Sequence, residues 1–272
     1  MTVYDDLILS DHPLFYWPLD ELAGATTARD LSGNGYPGIY HGSPTLGEAG
    51  PRACQDDNSF AAFFAGEGYG APTDFVYASA SPISGTMDFT LEVWFRPTLD
   101  AFTRPNRHHM NLIQQRGPGP TSADFLRVFT NVEGAPTGFG LTFSSGAPVI
   151  VASLAEVVRR VECWNHVAVT RAGETFSLYL NTRRLGTATS SVSIAHDVVS
   201  FGADQQDVGR IGEEEQELFR GWMAHAAGYG RALSPAELAE RYAMACTGCG
   251  AGFHVGTIGF GVDRPADSDG PM

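Results

Sequence analysis

The chain has 272 residues, 43% of them hydrophobic, with 32 glycines and 31 acidic against 17 basic side chains, for a net charge of −14. This length and composition suit a β-rich globular protein with one large core or two small ones, and the charge argues against holding nucleic acid or an anionic membrane by bulk electrostatics. No run reaches the roughly 18 apolar residues of a membrane helix, and the start "MTVYDDLILSDHPLFYW" lacks a signal peptide's basic region and cleavage site, so the sequence predicts a soluble chain with nothing directing export.

The first element in chain order is "VYDDLILSD", which places Tyr4, Leu7 and Ile8 at i, i+3 and i+4 and predicts a short helix lying on a sheet. After Pro13, "LFYWPL" reads as an aromatic strand closed by Pro18. A loop rich in Asp, Glu, Thr, Ser, Asn and Gly follows, then "YPGIYHG", "NSFAAFFAG" and "DFVYAS", short runs bounded by Gly, Pro and Ser in the rhythm of a β-sandwich. In "DFTLEVWFRPT" strict period two puts Phe89, Leu91, Val93 and Phe95 on one face and Thr90, Glu92, Trp94 and Arg96 on the other, which predicts a strand with one face in the core. "LDAFTRPNRHHMN" has no period and reads as an exposed loop and a candidate contact surface.

Further strands are expected at "NLIQQRG", "DFLRVFTNV", "GFGLTFSSG", "PVIVASL", "CWNHVAVTRAG" and "TFSLYLNTRRLGTA", with a hairpin connection at Ala172 to Glu174 and another turn from Asn181 to Arg184. "VGRIGEEEQELFRGWMAHAAGYGRA" supplies the last strands around a Glu-rich loop. "LSPAELAERYAMAC" spells a helix, with Ser234 as cap, Pro235 at the first position, Glu237 closing a capping box, and Leu238, Tyr242 and Ala245 facing inward. The chain divides into residues 1–245 and a Gly-rich C-terminal arm with an acidic end, residues 246–272, whose side chains are too small to fold alone.

Every basic residue is Arg, and a GC-rich coding sequence is the simplest cause. Four cysteines are too few for a disulfide framework; Cys246 and Cys249 have ligand-like spacing, but with His254 they make three zinc ligands where a structural site needs four. Buried thiols or one local disulfide are the plainer reading.

Six motifs, "YWPLDE", "DLSGNGYPG", "FTLEVWFRP", "WNHVAVTR", "FSLYLNTRRLG" and "FRGWMAHAAGYGRALSPAEL", occur in an order that resembles laminin G-like domains of the concanavalin A-like lectin/glucanase fold, from Tyr4 to about Tyr242. The resemblance implies an all-β jelly-roll sandwich of two antiparallel sheets, with one short N-terminal and one C-terminal helix. The helix leading into "PLFYWPLDE", together with "HAAGYGRALSPAEL", resembles the form found as a lone module in virion proteins of tailed bacteriophages.

Some relatives with this fold hydrolyse glucans with paired carboxylates on one strand, but the Glu-x-Asp-x-x-Glu pattern is missing and Glu92 stands alone in its strand, so no catalytic residue is expected. The family often holds calcium in the loop after the first strand, which makes Asp20, Glu21, Asp30 and Asn34 the candidate ligands, although His225 stands where many relatives carry Asp. The competing reading is an Asx turn at Asp30 and Asn34 with Gly33 and Gly35 at positive φ. His225 reads as a packed, hydrogen-bonded histidine, and Trp17, Trp94, Trp164 and Trp222 as core. For glycan stacking the loop aromatics Tyr69, Phe102 and Phe219 are the candidates, against ordinary loop packing.

The expectation is a non-enzymatic virion surface protein of a tailed phage, made in the host cytoplasm: a minor tail or receptor-binding component contacting host glycan. The alternatives are a capsid decoration or cementing protein and a secreted carbohydrate-binding module. Phe253, Val255, Ile258 and Phe260 mark a candidate assembly arm toward other virion proteins or a second copy of the chain, with no nucleic acid and no membrane insertion expected.

Overall fold

The structure, a computed structural model, describes residues 1–52, 59–66, 74–98, 109–116, 126–131, 138–143, 149–152, 163–194, 198–203 and 218–245. Within these residues the elements are α1 (Val3–Ser10), β1 (Phe15–Trp17), β2 (Thr27–Ala28), β3 (Gly38–His41), β4 (Thr45–Ala49), β5 (Phe60–Phe64), β6 (Phe75–Ala78), β7 (Phe89–Pro97), β8 (His109–Arg116), β9 (Leu126–Asn131), β10 (Gly138–Phe143), β11 (Ile150–Ala152), β12 (Asn165–Ala172), β13 (Thr175–Leu180), β14 (Arg183–Thr189), β15 (Val198–Phe201), β16 (Gly221–Tyr229) and α2 (Pro235–Met244). The first sheet runs β14-β13-β12-β7-β16-β5-β4, with β1 also pairing β16, and the second runs β11-β10-β9-β8-β15-β6-β3-β2. All the pairings are antiparallel, as a jelly-roll sandwich requires.

Between the sheets lies the main core, to which β7 contributes Phe89, Leu91, Val93 and Phe95, β12 Val167 and Val169, β9 Leu126 and Val128, and β10 Phe139, Leu141 and Phe143. Period two predicts one buried face for β7, but the structure buries both: Thr90, Glu92 and Trp94 on the outer face are as inaccessible as their neighbours. The reason is a second core. Ala61, Ala168, Ala224 and Ala227 occupy outward positions on the first sheet, and their small side chains let Tyr4 and Ile8 of α1 and Leu238 of α2 pack down beside Trp94, Tyr16 and Tyr229.

Both helices start as the sequence reading requires of a helix on a sheet. Thr2 caps α1 reciprocally with Asp5, the Asp5 amide donating to Thr2 Oγ1 at 3.1 Å and the Thr2 amide to Asp5 Oδ2 at 2.6 Å. Ser234 and Glu237 form the predicted capping box of α2, with Pro235 at its first position. The hairpin joining β12 to β13 falls at Gly173 and Glu174, and β8 begins at His109, inside the stretch that sequence pattern assigns to a loop. Cys163 is disulfide-bonded; Cys54, Cys246, Cys249 and His254 lie outside the described residues, as do residues 246–272 with the whole candidate arm.

Candidate functional site

Beneath the two helices the outer face of the first sheet carries a network of buried polar groups centred on Glu92. Its Oε1 accepts from Tyr229 Oη at 2.7 Å and Arg241 Nε at 3.0 Å, and its Oε2 accepts from His166 Nε2 at 3.0 Å. Arg241, itself fully buried, extends the network by donating to the Glu237 carbonyl at 3.0 Å and to Asp11 Oδ2 at 2.6 Å, so α2 is tied both to β7 and to the end of α1. Burial alone would raise the Glu92 pKa, but the Arg241 charge and the hydrogen bonds from His166 and Tyr229 outweigh it and hold the carboxyl at about 2. Glu92 is therefore ionised, with donors on both of its oxygens. A general acid must carry a proton and a nucleophile must reach substrate, and this carboxylate does neither.

A second network fixes α1. Asp5 Oδ1 accepts from Tyr16 Oη at 2.6 Å, and Tyr16 Oη lies 2.7 Å from His225 Nδ1. Because the Asp5 carboxylate can only accept, the Tyr16 proton is committed to it, and His225 must donate from Nδ1 to the phenol oxygen. His225 Nε2 is then the acceptor for Ser59 Oγ at 3.3 Å. This neutral tautomer agrees with the direction of its pKa: burial pushes it from 6.5 down to about 4, against the raising influence of Asp5. The imidazole reaches this position through a β-bulge in β16 between Ala224 and Ala227, where His225 takes φ 51° and its amide donates to the Pro18 carbonyl at 3.0 Å. It is a packed, hydrogen-bonded histidine, as the sequence suggests.

The loop between β1 and β3 brings the candidate calcium ligands together as a corner. Asp30 accepts three backbone amides, Tyr16 N at 3.0 Å and Ser32 N at 3.0 Å on Oδ1 and Tyr36 N at 2.9 Å on Oδ2. Asn34 Nδ2 donates to the carbonyls of Pro13 at 3.0 Å and Leu14 at 3.1 Å, and Gly33 and Gly35 both take φ 81°, as the Asx-turn reading requires. Glu21 is buried, accepting from the Arg29 amide at 2.8 Å and from Tyr40 Oη at 2.6 Å, while Asp20 pairs with Arg29 at 2.8 Å. Among the described residues no group of three or more His, Cys, Asp or Glu side chains is placed to hold a metal ion.

The candidate glycan-stacking residues fare differently. Phe219 is fully buried and packs edge-on to Phe95 in the main core, at 6.1 Å between ring centroids, so it cannot stack on a sugar; it lies in the loop just before β16, as expected, but its ring fills a place between the sheets instead of facing solvent. Tyr69 and Phe102 lie outside the described residues. Of the four tryptophans, Trp17, Trp94 and Trp164 are buried, whereas Trp222 is half-buried on the outer face of the first sheet.

The outer face of the second sheet is built differently from the first. Strand register sets Thr142 of β10, Arg127 of β9, Gln114 of β8, Ser200 of β15, Tyr77 of β6, Ile39 of β3 and Thr27 of β2 side by side in one cross-strand row. Ser200 Oγ donates to Gln114 Oε1 at 3.3 Å, and the Arg127 guanidinium lies over the Phe129 ring at 5.5 Å. Phe129 in turn lies so close to Gly140 that a Cβ there would come within 2.9 Å of its ring, so glycine is required under the ring. Gln114, Ser200 and Thr142 are buried, Arg127 and Tyr77 half-buried, and Ile39 and Thr27 exposed. At the accessible end of the row the Tyr77 phenol and the Thr27 hydroxyl, with Ile39 between them, can meet a polyhydroxylated ligand. Sequence reading finds each strand but not the row, since alternation gives faces within a strand and says nothing of register between strands.

Residues 70–239 match the family model described as the concanavalin A-like lectin/glucanases superfamily, of laminin G type. No curated protein sequence matches the chain. Among solved structures, the chain is similar to domain 4 of AbnA, a GH43 extracellular arabinanase from Geobacillus stearothermophilus, in complex with arabinotriose, with TM-score 0.58 and 13% identity over 85% of this chain and 98% of that one. It is similar also to the botulinum neurotoxin serotype D binding domain, with TM-score 0.58 and 11% identity over 86% of this chain and 52% of that one. For the Trypanosoma rangeli sialidase in complex with sialic acid the TM-score is 0.58 and the identity 11%, over 84% of this chain and 32% of that one. The chain thus spans the whole arabinanase domain, about half of the toxin chain and about a third of the sialidase.

Two measurements test these assignments. Asp30→Ala strands three backbone amides and should cost about 2 kcal/mol or more, with a melting temperature that chelator leaves unchanged in both wild type and variant; a chelator-sensitive wild type that loses this sensitivity in the variant would make the loop a calcium site instead. For His225 the folded pKa lies below the unfolded one, so the unfolded chain binds the extra proton between about pH 6.5 and about 4. Stability present above pH 6.5 should therefore fall by on the order of 3 kcal/mol as the pH drops to 4, by denaturant unfolding. His225→Asn, which tolerates positive φ, should flatten that slope; an unchanged slope would mean that other groups carry the acid response.

Proposed function

This chain belongs to the concanavalin A-like lectin/glucanase superfamily, and from that premise we propose that it is a non-enzymatic carbohydrate-binding module that holds glycan on the outer face of its second sheet. The observation that carries the reading is the contrast between the two outer faces. On the first sheet α1 and α2 close the face over a second core, whereas on the second the cross-strand row ends in an accessible stretch of Tyr77, Ile39 and Thr27, a phenol and a hydroxyl on either side of an aliphatic side chain. The similar arabinanase domain in complex with arabinotriose supports carbohydrate as the ligand class.

Catalytic silence is part of the proposal, and the first sheet supports it. The outward positions of β7 are Thr90, Glu92, Trp94 and Arg96, so a second carboxylate at i+2 or i+4 is lacking, and Glu92 is committed to Arg241. The setting we propose is the virion surface of a tailed phage, assembled in the host cytoplasm, where the module contacts host glycan and neighbouring virion proteins. This setting rests on the likeness of "PLFYWPLDE" and "HAAGYGRALSPAEL" to phage virion modules. The cementing alternative rests on the arm at Phe253, Val255, Ile258 and Phe260, outside the described residues.

A glycan array probed with the purified chain, followed by calorimetry on the responding oligosaccharides, tests the reading. Tyr77→Ala is expected to weaken binding at least tenfold, about 1.4 kcal/mol, with little change in melting temperature, and no sugar should be cleaved. An empty array, or affinity indifferent to Tyr77, would refute the site; release of reducing sugar would refute the silence.

A further inference from the structure

The accessible end of the second-sheet row is bordered by an ion pair in contact with solvent, Asp20 with Arg29. β2 is the edge strand at which the row ends, and Arg29 follows it directly, two residues and roughly 7 Å along the chain from Thr27. Arg29 is anchored from two sides. Its amide donates to Glu21 Oε1 at 2.8 Å and its Nε lies 3.7 Å from the same oxygen, while Tyr40 Oη occupies Glu21 Oε2 at 2.6 Å. Its Nη2 donates to Asp20 Oδ1 at 2.8 Å. With Glu21 buried behind it and Asp20 alongside, the guanidinium is held in place although 58% of the Arg29 side chain, and 29% of that of Asp20, is open to solvent.

An exposed ion pair adds little to stability, so the fold gains little from this arrangement. Its chemistry is another matter. Arg29 Nη1 and Asp20 Oδ2 have no protein partner among the described residues, and neither have Tyr77 Oη and Thr27 Oγ1. A guanidinium alone can only donate and a carboxylate can only accept, but joined through Nη2 and Oδ1 they present a free donor and a free acceptor next to each other. A vicinal diol answers that combination, one hydroxyl accepting from the cation and its neighbour donating to the anion, and hydrogen bonds to ionised groups are the stronger ones. The pair carries no net charge in a chain whose net charge is −14, which favours a neutral sugar over an acidic one. Ile39, 40% exposed between the Tyr77 phenol and the Thr27 hydroxyl, supplies apolar contact for the C–H face of a sugar ring.

We propose that Asp20 and Arg29 form a hydrogen-bonding clamp for the vicinal diol of a neutral oligosaccharide whose C–H face lies on Ile39, between Tyr77 and Thr27. The inference rests on the reading of the second-sheet row as a glycan site and names the residues that choose its ligand. The probes are mannotriose, maltotriose and galactotriose, each beside its O-methylated form, which leaves the rings and blocks the diols, with trigalacturonate as the acidic counterpart of galactotriose, all read by calorimetry. At least one neutral trisaccharide should bind tenfold or more tighter than its O-methylated form, and trigalacturonate should bind no tighter than galactotriose. Asp20→Ala removes the acceptor, and Arg29→Lys keeps the charge but removes the fork; each should weaken the bound trisaccharide at least tenfold with little change in melting temperature, since the pair is exposed. Should Arg29→Lys fail to fold, Asp20→Ala decides the matter. Binding that Tyr77→Ala weakens and Asp20→Ala leaves unchanged would overturn the clamp and leave the glycan site standing. Equal affinity for native and O-methylated forms, tighter binding of trigalacturonate, or no binding of any of the three neutral probes would also overturn the clamp, while the glycan array reports separately on the site itself.

Discussion

The pairing of Glu92 with Arg241 is the constraint on which the outer half of this molecule depends. A carboxylate at the centre of a sheet face with no solvent access is unstable on its own, and the remedy here is a cation delivered from a helix near the other end of the described chain. Once Arg241 is in place its remaining donors fix the Glu237 carbonyl and Asp11, and Tyr242, one residue on, lies parallel to the Trp94 ring at 5.7 Å. Trp94 Nε1 donates to Tyr4 Oη at 2.6 Å, which draws α1 into the same assembly. One buried charge thus determines where both helices sit.

That placement divides the labour between the two outer faces. The first sheet spends its central rows on structure, and the polar groups that might suggest chemistry are tied up beneath the helices, Glu92, His166 and Tyr229 in one network and His225 with Tyr16 in another. On the second sheet no described helix covers the outer row, and its end at Tyr77, Ile39 and Thr27 stays accessible.

Local patterns carried much of this into the sequence. Alternation in β7, the capping box at Ser234 and the Asp and Gly spacing of the first loop each specify geometry within a few residues, and each is found where the sequence predicts it. The short strands β2, β4 and β15 have too few alternating residues to stand out. The polar row of the second sheet is a product of register: Ser200 and Gln114 lie 86 positions apart in sequence, and no periodicity encodes which residues become neighbours. The burial of Phe219 and of the outer face of β7 likewise depends on residues distant in sequence, since nothing near Glu92 in sequence announces Arg241.

A double-mutant cycle on Glu92 and Arg241, with each residue changed to Gln singly and together and stability read by denaturant unfolding, tests this account most directly. Each single change should cost about 3 to 5 kcal/mol by leaving a buried charge unpaired, and the double variant should recover about 2 kcal/mol or more of the summed loss. Additive losses, or a Glu92→Gln protein as stable as wild type, would contradict the claim that this pair holds the helices on the sheet.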